Sequence, residues 1–295
     1  MIRSGARFAL GLVAAAAGCS LTTSFDGLTG GGADGGAPPD ATTDATTDAT
    51  ADAGAPDSGA DGPPPSDAGA DGACVGAAGP VMVSVGPFCI DTTEVTNDQY
   101  QVFLDAVVQG GVQQPPECAS NTNFTPTIAW PPSTSTKAKP VVGIDWCDAH
   151  AYCTWAGKRL CGAVDGGATA SADFATAADQ WHFACSHGGA ADHVFPYGMT
   201  YDPARCNDLE YRPEAGVLPV GTVVGCVGGF PGIFDMSGNV EEWEDSCALG
   251  AGGVVYCRNR GGAFPHTGAT VACAADSTNV RDFVSDHTGV RCCSP

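Results

Sequence analysis

Fourteen cysteines fall between Cys74 and Cys293, and a fifteenth stands apart at Cys19. An even set in a chain that leaves the cytoplasm is read as disulfides, and cross-links at that density dominate what the chain can fold into. Metal ligation is the competing reading, but no Cys-x-x-Cys pair occurs, and structural zinc sites usually show one. Spacing alone does not give the connectivity of so many cysteines. Short intervals suggest two local pairs, Cys206 with Cys226 and Cys247 with Cys257.

The amino terminus supplies the reason to expect export. Arg3 and Arg7 precede an apolar run from Phe8 to Ala17, and Ala16-Ala17-Gly18 stands directly before Cys19. That is the pattern of a signal peptide over residues 1–18 with a lipidation site at Cys19. About ten apolar residues are too few to cross a bilayer, which takes about 20. An ordinary signal peptide, leaving Cys19 as an incidental thiol, is the alternative. Ser20, where an Asp is absent, fits retention at the outer membrane or cell surface, so the expected localisation is an exported, lipid-anchored place in the cell envelope. Its membrane partner is reached through two or more acyl chains, since one chain holds only marginally.

Residues 19–73 form the next unit: after Cys19 the chain is almost entirely Ala, Asp, Gly, Thr, Pro and Ser, with ten Asp and no Glu, Lys or Arg. So few large apolar groups cannot offset ordering entropy, and like charges extend the chain further. It reads as a disordered acidic tether. Scattered carboxylates on such a chain lack the fixed geometry that would make it a calcium scavenger.

Residues 74–295 remain, enough for one domain with a sizeable core. Of the chain's 33 acidic and 12 basic residues, ten Asp lie in the tether and two Arg in the leader, leaving 23 against 10. A surface this acidic excludes a nucleic-acid partner. No Gly-x-Gly-x-x-Gly or Walker sequence stands between a strand and a helix, which sets nucleotide binding aside.

Tyr100, Phe103, Leu104 and Val107 recur at helical steps after Thr96-Asn97, predicting a helix capped by one of those two residues. A second helix is predicted from Asp145 through Trp155 with Gly157 as its carboxyl cap, and a short third from Ala177 to Cys185, stopping at Gly188-Gly189. Elsewhere Gly, Pro and Asn interrupt the chain so often that elements must be short. The expected fold class is α+β with much irregular backbone.

In chain order, Thr93-Glu94-Val95-Thr96-Asn97, Ala151-Tyr152-Cys153-Thr154-Trp155-Ala156-Gly157-Lys158-Arg159-Leu160, Phe195-Pro196-Tyr197-Gly198, Asp235-Met236-Ser237-Gly238-Asn239-Val240-Glu241-Glu242-Trp243, Arg260-Gly261-Gly262 and Gly289-Val290-Arg291-Cys292 form a series. The series resembles the formylglycine-generating enzyme, or sulfatase-modifying factor, family over nearly all of residues 80 to 293. The resemblance implies a low-regularity α+β fold, a variant of the C-type lectin fold. It also implies two bridges, Cys153 with Cys292 and Cys185 with Cys273, and leaves Cys74, Cys89, Cys118, Cys147, Cys161 and Cys293 without assigned partners. A Ca²⁺ site is implied at Asp235, Gly238, Val240 and Glu242, a hard-oxygen set that suits the ion; a Gly-Asn turn with a surface Glu242 is the plainer alternative. A second calcium site would begin at Asn207 and Asp208, but the loop supplying its other half is short, and none is expected there.

The same resemblance marks what is missing. The family's aerobic oxidases bind copper through two cysteines shortly after Arg-Gly-Gly-Ser and convert a substrate cysteine to formylglycine, and soft thiolates are what Cu(I) requires. Here Ala263 follows Arg260-Gly261-Gly262, and no Cys occurs before Cys273. Glu241 stands where the family has Trp, and His287 where it has Asn. Copper is not expected. His266 and His287, with Asp282 or Glu241, are the groups that offer an altered His/carboxylate site, although His residues are more often simple hydrogen-bonding groups. The function expected is a non-catalytic lipoprotein domain that binds a peptide, protein or glycan in the former substrate groove. The alternative is a formylglycine-generating oxidase or other protein-modifying enzyme with altered metal ligands.

Overall fold

A computed structural model describes Cys74, residues 78–212, Glu214 and residues 216–294. The leader, Cys19 and the tether lie outside the described residues. In chain order the elements are β1 (Met82–Ser84), β2 (Cys89–Asp91), α1 (Asn97–Gly110), α2 (Trp146–Trp155), β3 (Arg159–Leu160), α3 (Gln180–Cys185), β4 (Val227–Gly228), β5 (Phe230–Phe234), β6 (Glu241–Leu249), β7 (Val255–Arg260), β8 (Asp276–Val280), β9 (Thr288–Val290) and β10 (Cys292–Ser294). Two four-stranded sheets, in the orders β1-β2-β10-β3 and β8-β7-β6-β9, and the β4-β5 ribbon make up the strands. The α+β, disulfide-rich class expected from the sequence is the class observed. Among the described residues no helix is long and apolar enough to cross a membrane.

The helix boundaries follow from their caps. Thr96 accepts from Gln99 N–H while the Gln99 side chain accepts from Thr96 N–H, a closed capping box that starts α1. Asp145 and Asp148 repeat the device at α2. The third helix begins later than predicted, at Gln180, because Asp179 rather than a residue near Ala177 caps it through His182 N–H. Tyr100 and Phe103 on α1 then pack on Tyr152 of α2 in one buried aromatic cluster.

The carboxyl terminus joins the two sheets. β9 runs parallel to β6 in one, β10 pairs with β2 and β3 in the other, and Arg291 is the single residue between them. Neighbouring strand residues point to opposite faces. Cys292 accordingly enters the core built on α1 and α2, and Cys293 enters the second core around Trp181 and Ile233.

All fourteen cysteines of the described chain are bonded: Cys153–Cys292, Cys185–Cys273, Cys206–Cys226, Cys247–Cys257, Cys74–Cys89, Cys118–Cys147 and Cys161–Cys293. The last three take up the six cysteines that the sequence left without partners.

Candidate functional site

The turn that carries the expected calcium ligands is held by close backbone contact. Gly238 has φ +74°, and a Cβ there would lie 2.4 Å from the Asn207 carbonyl oxygen. Only glycine fits. Asn239 follows at φ +56°, donating from Nδ2 to Glu94 Oε1 at 2.9 Å and accepting from Leu218 N–H at 2.9 Å. This turn leads into β6 with Glu241, Glu242, Trp243 and Glu244 all buried.

Glu242 is engaged on both oxygens. Arg291 donates from Nε at 3.1 and 3.0 Å and from Nη2 at 2.9 Å, and Trp181 Nε1 donates to Oε2 at 2.7 Å. Three N–H groups thus bind the carboxylate, with the single Nε hydrogen shared between its two oxygens. Arg291 is completed by the carbonyls of Asp91 and Phe234 at 2.8 and 2.7 Å. Asp235 Oδ2 accepts from Gly221 N–H at 2.6 Å.

As arranged, Asp235, Gly238, Val240 and Glu242 do not fit Ca²⁺, because the ion would have to displace Arg291 or Trp181 from Glu242. The alternative of an exposed Glu242 does not hold either, since this residue is 1% exposed. What the block builds is a buried charge cluster. Sequence reading missed Glu94, Trp181 and Arg291 as its members, although Glu94 and Arg291 both lie inside the family blocks.

Glu94 and Asp235 carry the excess charge of this cluster. Burial, then the neighbouring Asp235 carboxylate, pushes Glu94 well above the usual range. Burial likewise raises Asp235 to about 6 against the lowering effect of Gly221 N–H and Arg291. Two carboxyls so placed hold a proton rather than ionise together. A raised folded pKa contributes stability that is full below about pH 4 and is lost as pH rises through about 6. Asp235→Asn should therefore raise the melting temperature at pH 8 and leave it unchanged at pH 4. Adding Ca²⁺ to the wild type should not reproduce the gain at pH 8.

A groove opens next to this cluster, in a cavity of about 410 Å³ lined by Glu241, Gly262, His266, Thr270, Asp276 and Ser277 among others. Glu241 begins β6 and donates its backbone N–H to the His287 carbonyl at 2.8 Å, which brings the two histidines together. Their rings meet edge to face at 5.7 Å. Ala263 N–H donates to His266 Nδ1 at 3.1 Å, so Nε2 carries the proton of the neutral ring. Ser277 Oγ donates to Glu241 Oε1 at 2.9 Å, and His266 Nδ1 lies 3.9 Å from the same oxygen, too long for a hydrogen bond.

His287 is turned toward its neighbour Asp286, with Nδ1 at 2.7 Å from the carboxylate. Asp276 is paired with Arg258, leaving Glu241 as the groove's unpaired charge. Asp282 does not reach this groove: it lines a different cavity with Arg281 and Asp145. Among the described residues no group of three or more His, Cys, Asp or Glu side chains is placed to hold a metal ion. Ser277 and Asp276 were not foreseen, since only the β7–β8 pairing brings them beside Glu241.

The sequence profile of the sulfatase-modifying factor enzyme 1-like domain matches residues 43–294. The chain belongs to this family. Within it, the inactive C-alpha-formylglycine-generating enzyme 2 of Mus musculus is 27% identical, covering 72% of this chain and 76% of that protein. The formylglycine-generating enzyme of Streptomyces coelicolor is 26% identical, covering 71% and 79%. The crystal structure of CarF aligns with a TM-score of 0.49 at 20% identity, covering 75% of this chain and 96% of CarF.

Identity to the relative named inactive and to the one named formylglycine-generating enzyme is thus nearly equal, so identity does not separate them. The resemblance implies copper held by two cysteine thiolates in the oxidising members, and soft thiolates select Cu(I). In this family member Cys273, the first cysteine after Arg260-Gly261-Gly262, is buried and bonded to Cys185. No free thiolate pair for Cu(I) stands at this position among the described residues.

Proposed function

We propose that this family member is a non-catalytic binding domain, displayed from the cell envelope by a lipid on Cys19 and the acidic tether. The observation that carries the reading is the pairing of every described cysteine, which leaves the groove without a thiolate. The resemblance to a mouse protein named inactive supports it. The ligand is a peptide, protein or glycan segment held in the groove beside Glu241, His266 and Ser277. Glu241 contributes a buried carboxylate with one donor already fixed on Oε1, leaving acceptor capacity toward the groove.

The test is a titration of the chain against peptide and glycan panels, compared with Glu241→Gln. At least one ligand should bind and lose tenfold or more in the variant, which is the scale of one charge-assisted hydrogen bond. Panels with no binder, or a binder indifferent to both Glu241→Gln and His266→Ala, would remove the groove from the account.

A further inference from the structure

β8 lies at the edge of its sheet and pairs only with β7. Its hydrogen-bond phase follows from the residue just beyond it. Arg281 N–H donates to the Val255 carbonyl at 3.1 Å, and these two residues continue the antiparallel register in which Tyr256 faces Val280. Hydrogen-bonded and non-hydrogen-bonded pairs alternate along such a ladder. Asn279 and Ser277 therefore bond inward to Cys257 and Asn259, whereas the N–H and C=O groups of Asp276, Thr278 and Val280 point out of the sheet. The Val280 carbonyl is taken by Phe283 N–H at 2.9 Å. Asp276 and Thr278 are exposed, and their outward main-chain groups have no hydrogen-bond partner among the described residues.

Such an edge is open to another strand. Ser277, between the two exposed residues, lines the groove and donates to Glu241 Oε1. A residue opposite Ser277 on an added strand forms a non-hydrogen-bonded pair with it, Cα atoms about 4.5 Å apart and side chains on the same face. That face leads to Glu241, whose side chain is 8% exposed and whose Oε2 has no hydrogen-bond partner among the described residues. Asp276 is already bonded to Arg258, so Glu241 is the carboxylate left for a cation. Edge and carboxylate together call for a main chain and a basic side chain. Sugar hydroxyls supply neither the repeat of amide donors and acceptors nor the charge. A second copy of this chain is disfavoured as the occupant, because each copy brings a net charge of −21.

We propose that the ligand of the groove, on the binding-domain reading above, is an extended peptide segment that adds antiparallel to β8, with a Lys or Arg opposite Ser277 reaching Glu241. Main-chain bonds along the edge give affinity, and the groove selects the side chain.

The probe is a blocked heptapeptide, Thr-Val-Thr-Lys-Thr-Val-Thr, titrated against the full chain by fluorescence anisotropy. It should bind one to one. N-methylation of either Thr flanking the Lys removes an N–H that faces β8 and should weaken binding at least tenfold, whereas N-methylation of the Lys, whose N–H faces away, should not. Replacing the Lys by norleucine should also cost tenfold or more, and the norleucine peptide should be indifferent to Glu241→Gln. Thr278→Pro deletes an outward N–H that the β7 ladder does not use, a position where an edge strand accepts proline, and should weaken binding at least tenfold. Thr278→Val should bind as the wild type does. Melting curves show whether each variant is folded, and slowed hydrogen exchange at Thr278 N–H on adding peptide gives a reading free of mutation. No peptide binding, or binding indifferent to the position of N-methylation, would overturn the proposal. A glycan or peptide that binds through Glu241 yet ignores Thr278→Pro would overturn strand addition while leaving the groove a binding site.

Discussion

Removing Cys153–Cys292 or Cys161–Cys293 singly should cost about 3 kcal/mol, and removing both should cost about 7 kcal/mol. The two bridges span 139 and 132 residues and end on adjacent cysteines. While one is closed, the other constrains only the short path from Cys153 to Cys161, so it removes roughly the entropy of a ten-residue ring. With both open a loop of roughly 50 residues is released, because Cys185–Cys273 bypasses the rest of the span, and its closure entropy of about 4 kcal/mol is lost as well. Denaturant unfolding of the two Cys→Ser pairs and of the fourfold variant measures the difference. Strict additivity would count against the arrangement, because coupled neighbours are where additivity fails.

Arg291→Met should destabilise the chain by about 3–5 kcal/mol, the scale for stranding a buried charge. Arg291 links the two sheets and is bound at once by Glu242 and two carbonyls, all of it out of water. Adding Glu242→Gln should recover part of the loss, since the remaining amide is neutral and still accepts from Trp181. A single-variant loss below about 1 kcal/mol, the scale of an exposed pair, would show that the cluster does not hold the sheets together.

Much of the fold was legible because its signals are local. The capping boxes at Thr96 and Asp145 lie within three residues of each helix start, and the apolar period follows them at once. The fate of Glu242 was not legible, since its partners Arg291 and Trp181 lie 49 and 61 residues away and the same carboxylate would suit calcium equally well. Hard-oxygen composition alone does not distinguish an ion site from a buried ion pair. The groove was half legible. His266 and His287 meet there, whereas Ser277 and Asp276 enter through strand pairing and Asp282 faces another cavity. The pairings of Cys118, Cys147, Cys161 and Cys293 are properties of the folded chain rather than of spacing.

The absence of a thiolate pair is the central claim, and it has a direct assay. The folded, oxidised chain is loaded with one equivalent of copper and incubated in air with a peptide containing Cys-x-Pro-x-Arg, and the product mass is followed. The expected result is unchanged peptide, with the Streptomyces coelicolor enzyme as the positive control. Aldehyde formed catalytically at one-to-one copper would contradict the account.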